Sequence, residues 1–428
     1  MQFFPYAEIK VGNKQKVISL LTSQEGISKE EQIGLSLADL EYKVISTLEK
    51  INKPLQKIGI VTHHQELPPI FLKGFLDVAA ANYELSPVFP INKKSYQRND
   101  LENLKKFDAL VFAKPITPFE EEEKIVLDQY IIGGGKTLWF LEKVDAEMDS
   151  LARSQQIIAF ERDQNLTDFF FSYGIRIKPL LAMAQNAQPI QIATGQTAGN
   201  ANFTTFNWPY FPLAFPNPNH PVSKGISPVS TNFANPIDTL GPYKKTVLLQ
   251  TQGLTSVQKP MSSISLSGID QLSYEKYTPT PHILGVLVEG KFSSAYKDRN
   301  LSESFQGFEG TAKEKNKIMV FSDGDIIKNQ VQKGEPLPVG FDKWTSVTYG
   351  NAALLNNALD YMLWDENLTS LRGKDFTVLP LNRAKISQYK QGVRLVLLLV
   401  PIAILGLIYI FFKKIRAKKM NLYKVQSS

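Results

Sequence analysis

Residues 109–141, ALVFAKPITPFEEEEKIVLDQYIIGGGKTLWFL, decide how this chain folds. Ala109-Leu-Val-Phe-Ala113 is apolar at every position, as a strand covered on both faces must be. Pro118 then opens a helix whose first turn holds Glu120 to Glu123, acids that complement the positive end of the helix dipole. The helix runs to Ile132 and stops at Gly133-Gly-Gly135, and Thr137-Leu-Trp-Phe-Leu141 is the next strand. Two such strands joined through a helix predict an α/β protein with a doubly wound, mostly parallel sheet. Gly133-Gly-Gly-Lys-Thr137 is not a phosphate loop. Its spacing would place the first glycine at Tyr130, and a phosphate loop leads from strand into helix, whereas this run leads from helix into strand. The glycines are read as a helix C-cap, and the chain as no ATPase.

The same rhythm extends outward. An apolar strand at 58–62 follows Pro54, then a helix at 71–82, a strand at 83–89 and a helix at 101–107. It returns with a strand at 317–321 and a helix at 351–364. Near the start, residues 6–21 alternate like two strands turning at Gly12-Asn13. Between about 184 and 305 the composition changes to Asn, Pro, Thr, Gln and Ser, with short strands such as 246–250 and 283–289. Roughly 380 residues before the C-terminal apolar run are too many for one ordinary core. The expected divisions are an N-terminal strand and helix segment (1–53), a first part of the α/β domain (54–183), a β-rich insertion or second lobe (184–305) and the last part of the α/β domain (306–368). A polar stem (369–394), a transmembrane helix (395–412) and a basic tail (413–428) complete the chain.

Residues 395–412 contain no charged side chain, and Lys413, Lys414, Arg416, Lys418 and Lys419 follow at once. Such a run rises about 27 Å as a helix, close to the hydrocarbon thickness of a bilayer. Ten Lys and Arg residues and no acid lie between 383 and 424, and taking them from the formal +7 leaves −3 for everything before Arg383. The basic balance is thus a juxtamembrane effect that favours anionic lipid, and gives no sign of nucleic acid. The denser cluster lies after the run, which predicts a single-pass anchor in the inner (cytoplasmic) membrane with the tail inside and the body in the periplasm. Residues 1–10 lack the features of a signal peptide. Either the body is cytosolic and tail-anchored, or an export segment lies upstream of this chain; the second is the expectation.

The residue inventory excludes several chemistries. The chain has no cysteine, hence no thiolate nucleophile or thiolate metal site, and none of the G-x-S-x-G, G-x-G-x-x-G or H-E-x-x-H patterns. No cofactor or metal is expected. Two places on the sheet's carboxyl edge are candidate ligand sites. His63, His64 and Glu66 follow the strand at 58–62, and Asp323 and Asp325 follow the strand at 317–321, where open α/β sheets bind ligands. Asp323 and Asp325 can hold a divalent cation or act as acid and base; they can equally cap the next turn. The aromatic and proline-rich loops with Trp208, Tyr210, Phe211 and Phe215 suit a partner contact.

Several stretches, taken in order, resemble the auxiliary component of the gliding-motility ABC transporter of Bacteroidetes, the GldG type. They are Gln2-Phe-Phe-Pro-Tyr-Ala7, residues 109–151 with Lys114-Pro115, Gly133-Gly-Gly-Lys136 and Met148-Asp-Ser-Leu151, Trp208-Pro-Tyr-Phe-Pro212, Asn219-His-Pro221, Val320-Phe-Ser-Asp-Gly-Asp325 with Asn329-Gln330, and Leu371-Arg372. The resemblance implies a glutamine-amidotransferase-like fold without its catalytic cysteine, and partnership with an ABC permease and a separate ATPase. It also implies a substrate-binding role, with a small molecule or glycan as ligand. Members of that family usually carry an upstream membrane helix and more extracytoplasmic sequence than this chain has. The expected function is a non-enzymatic, membrane-anchored auxiliary subunit of an ABC transporter. The rivals are an envelope scaffold acting through the aromatic loop and a metal-dependent hydrolase using Asp323 and Asp325.

Overall fold

The computed structural model describes residues 5–21, 29–88, 98–197, 200–267, 269, 273–299, 305, 307–372 and parts of 399–413. Residues 1–376 form one compact unit and 377–428 another. In the first, strands β1 (Tyr6–Val11) and β2 (Lys14–Ser19) make the expected hairpin through Gly12-Asn13. Helix α1 (Lys29–Asn52) follows. Then come β3 (Lys57–Val61), α2 (Pro69–Ala80), β4 (Glu84–Val88), α3 (Arg98–Leu104), β5 (Ala109–Ala113), α4 (Glu121–Ile132) and β6 (Lys136–Phe140). Strands β7 (Ile175–Ile177), β8 (Ile237–Thr239), β9 (Lys244–Gln250), β10 (Ile283–Gly290) and β11 (Asn316–Phe321) complete the set, before helices α5 (Asn351–Leu363) and α6 (Glu366–Ser370).

One mixed sheet runs in the order β7-β8-β10-β11-β6-β5-β3-β4, with β9 also paired to β10. Strands β4, β3, β5, β6 and β11 are parallel to one another; those beyond β11 run antiparallel. The antiparallel half therefore draws β8, β9 and β10 from the stretch 184–305.

Alternation along each strand explains why the runs look apolar throughout. Val111, Leu138, Phe140, Met319 and Phe321 pack on one face with Leu72 and Phe75 of α2 and Leu354 and Leu355 of α5. Leu110, Phe112, Trp139, Ile318 and Val320 pack on the other with Leu101 of α3 and Val126 and Leu127 of α4. Helices cover both faces, so neither parity can be polar. Phe112 and Trp139 stack across neighbouring strands at 3.5 Å and 3°.

The glycine triplet closes α4 as a Schellman motif. Gly134, at φ +97°, donates to the Ile131 carbonyl at 3.0 Å, and Gly135 donates to Tyr130 at 2.9 Å. A left-handed residue at this position turns the chain from helix into β6 at no Cβ penalty.

Asp360 on α5 ties α1 to the sheet. It accepts from Tyr42 at 2.5 Å, Tyr83 at 2.6 Å, Lys50 at 2.7 Å and Arg372 at 3.3 Å. Burial raises its carboxyl, but Lys50 and Arg372 outweigh that and hold it below the ordinary range.

In the second unit, helical backbone is described at 399–401, 404–405, 408–409 and 412–413, with Leu405 (65%), Tyr409 (68%) and Phe412 (64%) exposed. Among the described residues no helix is long and apolar enough to cross a membrane. The membrane helix expected at 395–412 lies largely outside them, as does most of the stem and tail.

Candidate functional site at the carboxyl edge

The connections that leave β3, β5, β6 and β11 all emerge on one edge. Between β3 and β5 the winding reverses, because the chain steps from β3 outward to β4 and then returns past β3 to β5. Loops diverge at such a point, and open α/β sheets bind ligands there. His63 and His64 follow β3, Lys114 follows β5, Glu142 follows β6, and Asp323 and Asp325 follow β11.

The strands β5, β6 and β11 deliver a buried charge lock. Lys114 adopts a left-handed backbone (φ 59°) and its Nζ lies 2.7 Å from Asp325 Oδ1. The same ammonium is 2.8 Å from Glu142 Oε1 and 2.8 Å from Glu147 Oε1. Gly324 leaves room for it, since a Cβ there would stand 2.4 Å from Lys114 Cγ. Arg162 holds the other Glu142 oxygen at 3.2 Å and Asp145 at 2.6 Å, and Lys328 reaches Asp325 at 3.4 Å. Burial disfavours the charged lysine, but Asp325, Glu142 and Glu147 raise Lys114 well above its ordinary value. Burial of its side chain raises Asp325, a half-buried residue, yet Lys114 and Lys328 hold it well below the carboxylate range.

Asp323 has a different task. It is fully buried, and its Oδ1 accepts from the Asp325 amide at 2.7 Å while Oδ2 accepts from the Asn232 amide at 2.6 Å. Of the three roles the residue types allowed, Asp323 is seen in one, as the cap of the turn Gly324–Ile326.

The second cluster straddles the reversal. Nε2 of His63 and Nε2 of His64 approach the same oxygen, Oε1 of Glu123, at 2.5 and 2.8 Å. Glu123 sits in the first turn of α4, behind a β5–α4 loop that is clipped to His64: the Ile116 and Thr117 amides donate to the His64 carbonyl at 2.8 and 3.1 Å. The His64 ring stacks on Phe119 at 3.6 Å, and its amide donates to Glu66 Oε2 at 2.7 Å. Burial pushes Glu123 up, but hydrogen bonds from the two imidazoles bring it down to about 2. Burial raises Glu66. Nδ1 of His63 and Oε1 of Glu66 are buried without a partner among the described residues.

His63, His64 and Glu66 thus lie together on one side of the edge, and Asp323 and Asp325 on the other. The aromatic residues do not form the exposed patch their sequence suggested. Trp208 (1%) and Phe211 (5%) are core residues packed with Phe233 and Ile264, while Tyr210 and Phe215 are half-buried. An aromatic loop and an aromatic core read alike when neighbours are unknown. Lys114, Glu123, Glu142 and Glu147 were missed as site residues. Glu123 was visible only as one of four helix-capping acids, and a charged residue directly after an apolar strand was the one signal for Lys114.

The sequence model of the family described as "ABC-type uncharacterized transport system" matches residues 55–358, from just before β3 into α5. The chain belongs to this family. It is an auxiliary component of an ABC-type transport system, a role that implies association with other subunits of the transporter. Both clusters lie inside the matched region. Among solved structures, one titled "mmIFT52 N-terminal domain" is 13% identical, with 73% of this chain and 99% of that chain covered at a TM-score of 0.42. That likeness is too slight to carry an argument. No curated protein matches the sequence.

Proposed function

We propose that the chain is the non-catalytic, ligand- or partner-binding auxiliary subunit of an ABC transporter linked to gliding motility, of the GldG type. The observation that carries this reading is the Lys114 lock. An ammonium 2.7–2.8 Å from Asp325, Glu142 and Glu147 occupies the place a catalytic cation would need among these carboxylates. With Asp323 taken up by two backbone amides, the pair serves the architecture better than acid–base chemistry. The parallel half of the sheet is read as a glutamine-amidotransferase-like core, and no cysteine exists to act as its nucleophile.

The tether is the apolar segment at 395–412. Exposed Leu405, Tyr409 and Phe412 on its described turns are a cost in water and none in lipid. Anchored beside a permease, a weak ligand or partner contact becomes effectively intramolecular. The ligand face is the carboxyl edge around His63, His64 and Glu66, beside the closed Asp323–Asp325 turn, and the ligand is a small molecule or glycan.

The test is a gentle detergent pull-down of the tagged full-length chain from its native membrane. An ATPase and a polytopic permease recovered in fixed ratio support the reading. A chain that purifies alone, or with an unrelated envelope protein, overturns it.

A further inference from the structure

His63, His64 and Glu123 meet in an arrangement that hydrogen bonding alone leaves unbalanced. Both rings offer the same atom, Nε2, to the same oxygen, at 2.5 and 2.8 Å. As neutral donors, both carry their proton on Nε2 and leave Nδ1 bare; as imidazolium, each would need an acceptor at Nδ1 as well. The Thr117 hydroxyl, 3.4 Å away, can serve the bare Nδ1 of His64. Nδ1 of His63 is buried and has no partner of either kind among the described residues. A ligand that took both Nε2 lone pairs would move each proton to Nδ1. His64 would then donate to Thr117, and the His63 proton would lie in the same tight loop as the unpartnered Glu66 Oε1.

We propose that His63, His64 and Glu123 form a binding site for a divalent transition metal of the zinc class, with at least one coordination position left for an incoming ligand. Two imidazole nitrogens and one carboxylate oxygen suit zinc, iron, nickel or copper, whereas magnesium and calcium take oxygen. The candidate ligand atoms all lie within 4.8 Å of one another. Metal–ligand distances of about 2.0–2.1 Å put tetrahedral ligand atoms roughly 3.3 Å apart, so the Glu123 carboxylate need withdraw by about 0.5 Å from His64 and about 0.8 Å from His63.

His64 is already held by groups that are not ligands: Phe119 against its ring face, two amides on its carbonyl, and Glu66 on its amide. Such outer contacts fix imidazole orientation in metal sites. The place is also the point of winding reversal, where the edge opens, and the His63 side chain keeps 15% of its surface there against 5% for His64. The other group of converging acids, Glu142, Asp323 and Asp325, differs in this respect, because the Lys114 ammonium already stands on two of its members.

The proposal is independent of the transporter reading, and its test needs no partner protein. The full-length chain, purified in detergent without a histidine tag and stripped by chelation, is titrated with Zn2+ by calorimetry and thermal unfolding, and with Co2+ as an optical probe. One equivalent of Zn2+ is expected, with a melting temperature a few degrees higher and the strong visible bands of four- or five-coordinate Co2+. Loss of a direct ligand exceeds the 10- to 100-fold typical of outer-shell changes, so H63A and E123Q should each weaken Zn2+ binding by more than about 100-fold. Zn2+ bound equally by wild type and both variants, or by none, overturns the site. Should a variant fold poorly, the wild-type Co2+ spectrum decides: weak octahedral bands overturn the proposal, and intense ones uphold it.

Discussion

Two clusters share one edge of one sheet and differ in how they are closed. After β5, β6 and β11, Lys114 meets Asp325, Glu142 and Glu147 within 2.8 Å, and most of their polar atoms have charged or amide partners. After β3, two imidazoles crowd a single oxygen of Glu123, and His63 Nδ1 and Glu66 Oε1 are buried without partners among the described residues. The comparison teaches that position on the carboxyl edge does not by itself make a site. What matters is whether the groups delivered there satisfy one another, since a closed set holds the fold together and an unclosed one can take a ligand.

Breaking the closed side should give the largest effect. K114M leaves Glu142 and Asp325 buried without their shared ammonium, and removing one partner of such a set costs about 3–5 kcal/mol. Denaturant unfolding of wild type and variant measures it, and a loss below about 1 kcal/mol would show that the lock is not closed.

The same pair of proteins gives a pH test. Asp325 is held below the ordinary aspartate value of 3.8, so the stability it contributes is present above that value. It is lost as pH falls through the depressed folded value. The difference between wild type and K114M should therefore begin to narrow as pH falls below 3.8 and close only as Asp325 takes up its proton at the depressed folded value. A gap that stays constant with pH would mean that K114M acts through packing rather than charge.

A subtler break comes from G324A. Its Cβ would stand 2.4 Å from Lys114 Cγ, forcing the lysine stem aside, and overpacking of this kind costs about 1–3 kcal/mol. In the K114M background the cost should change, because the two positions touch; strict additivity would separate Gly324 from the lock.

The smallest effect is expected on the other cluster. H63A removes one of two donors from Glu123 at a partly open loop, a change of about 1 kcal/mol in the metal-free protein. A loss as large as that of K114M would make the histidine cluster a second lock and erase the contrast.

Much of the sheet could be read locally. Apolar runs place β3, β5, β6 and β11 within a residue or so of their ends, because a strand covered on both faces has no polar parity to confuse the reading. The glycine triplet marks the end of α4 since a left-handed C-cap favours glycine. The site was legible only by halves. His63, His64, Asp323 and Asp325 stand out as polar residues at strand ends, but Glu123 and Lys114 enter through neighbours 59–60 and 211 positions away in the chain. Trp208 was misplaced for the same reason: an aromatic side chain declares its affinity for apolar surroundings and not which surroundings it finds.

The sequence by itself determined the alternation of elements, the glycine turn, the absence of a thiol and the apolar segment near the C-terminus, all of which follow from backbone sterics and local polarity. Only the tertiary structure decided that β8, β9 and β10 extend the sheet antiparallel, that Lys114 is locked, and that two histidines converge on Glu123. Strand order sets these contacts, and it is settled by packing between residues far apart in the chain, which no local pattern encodes.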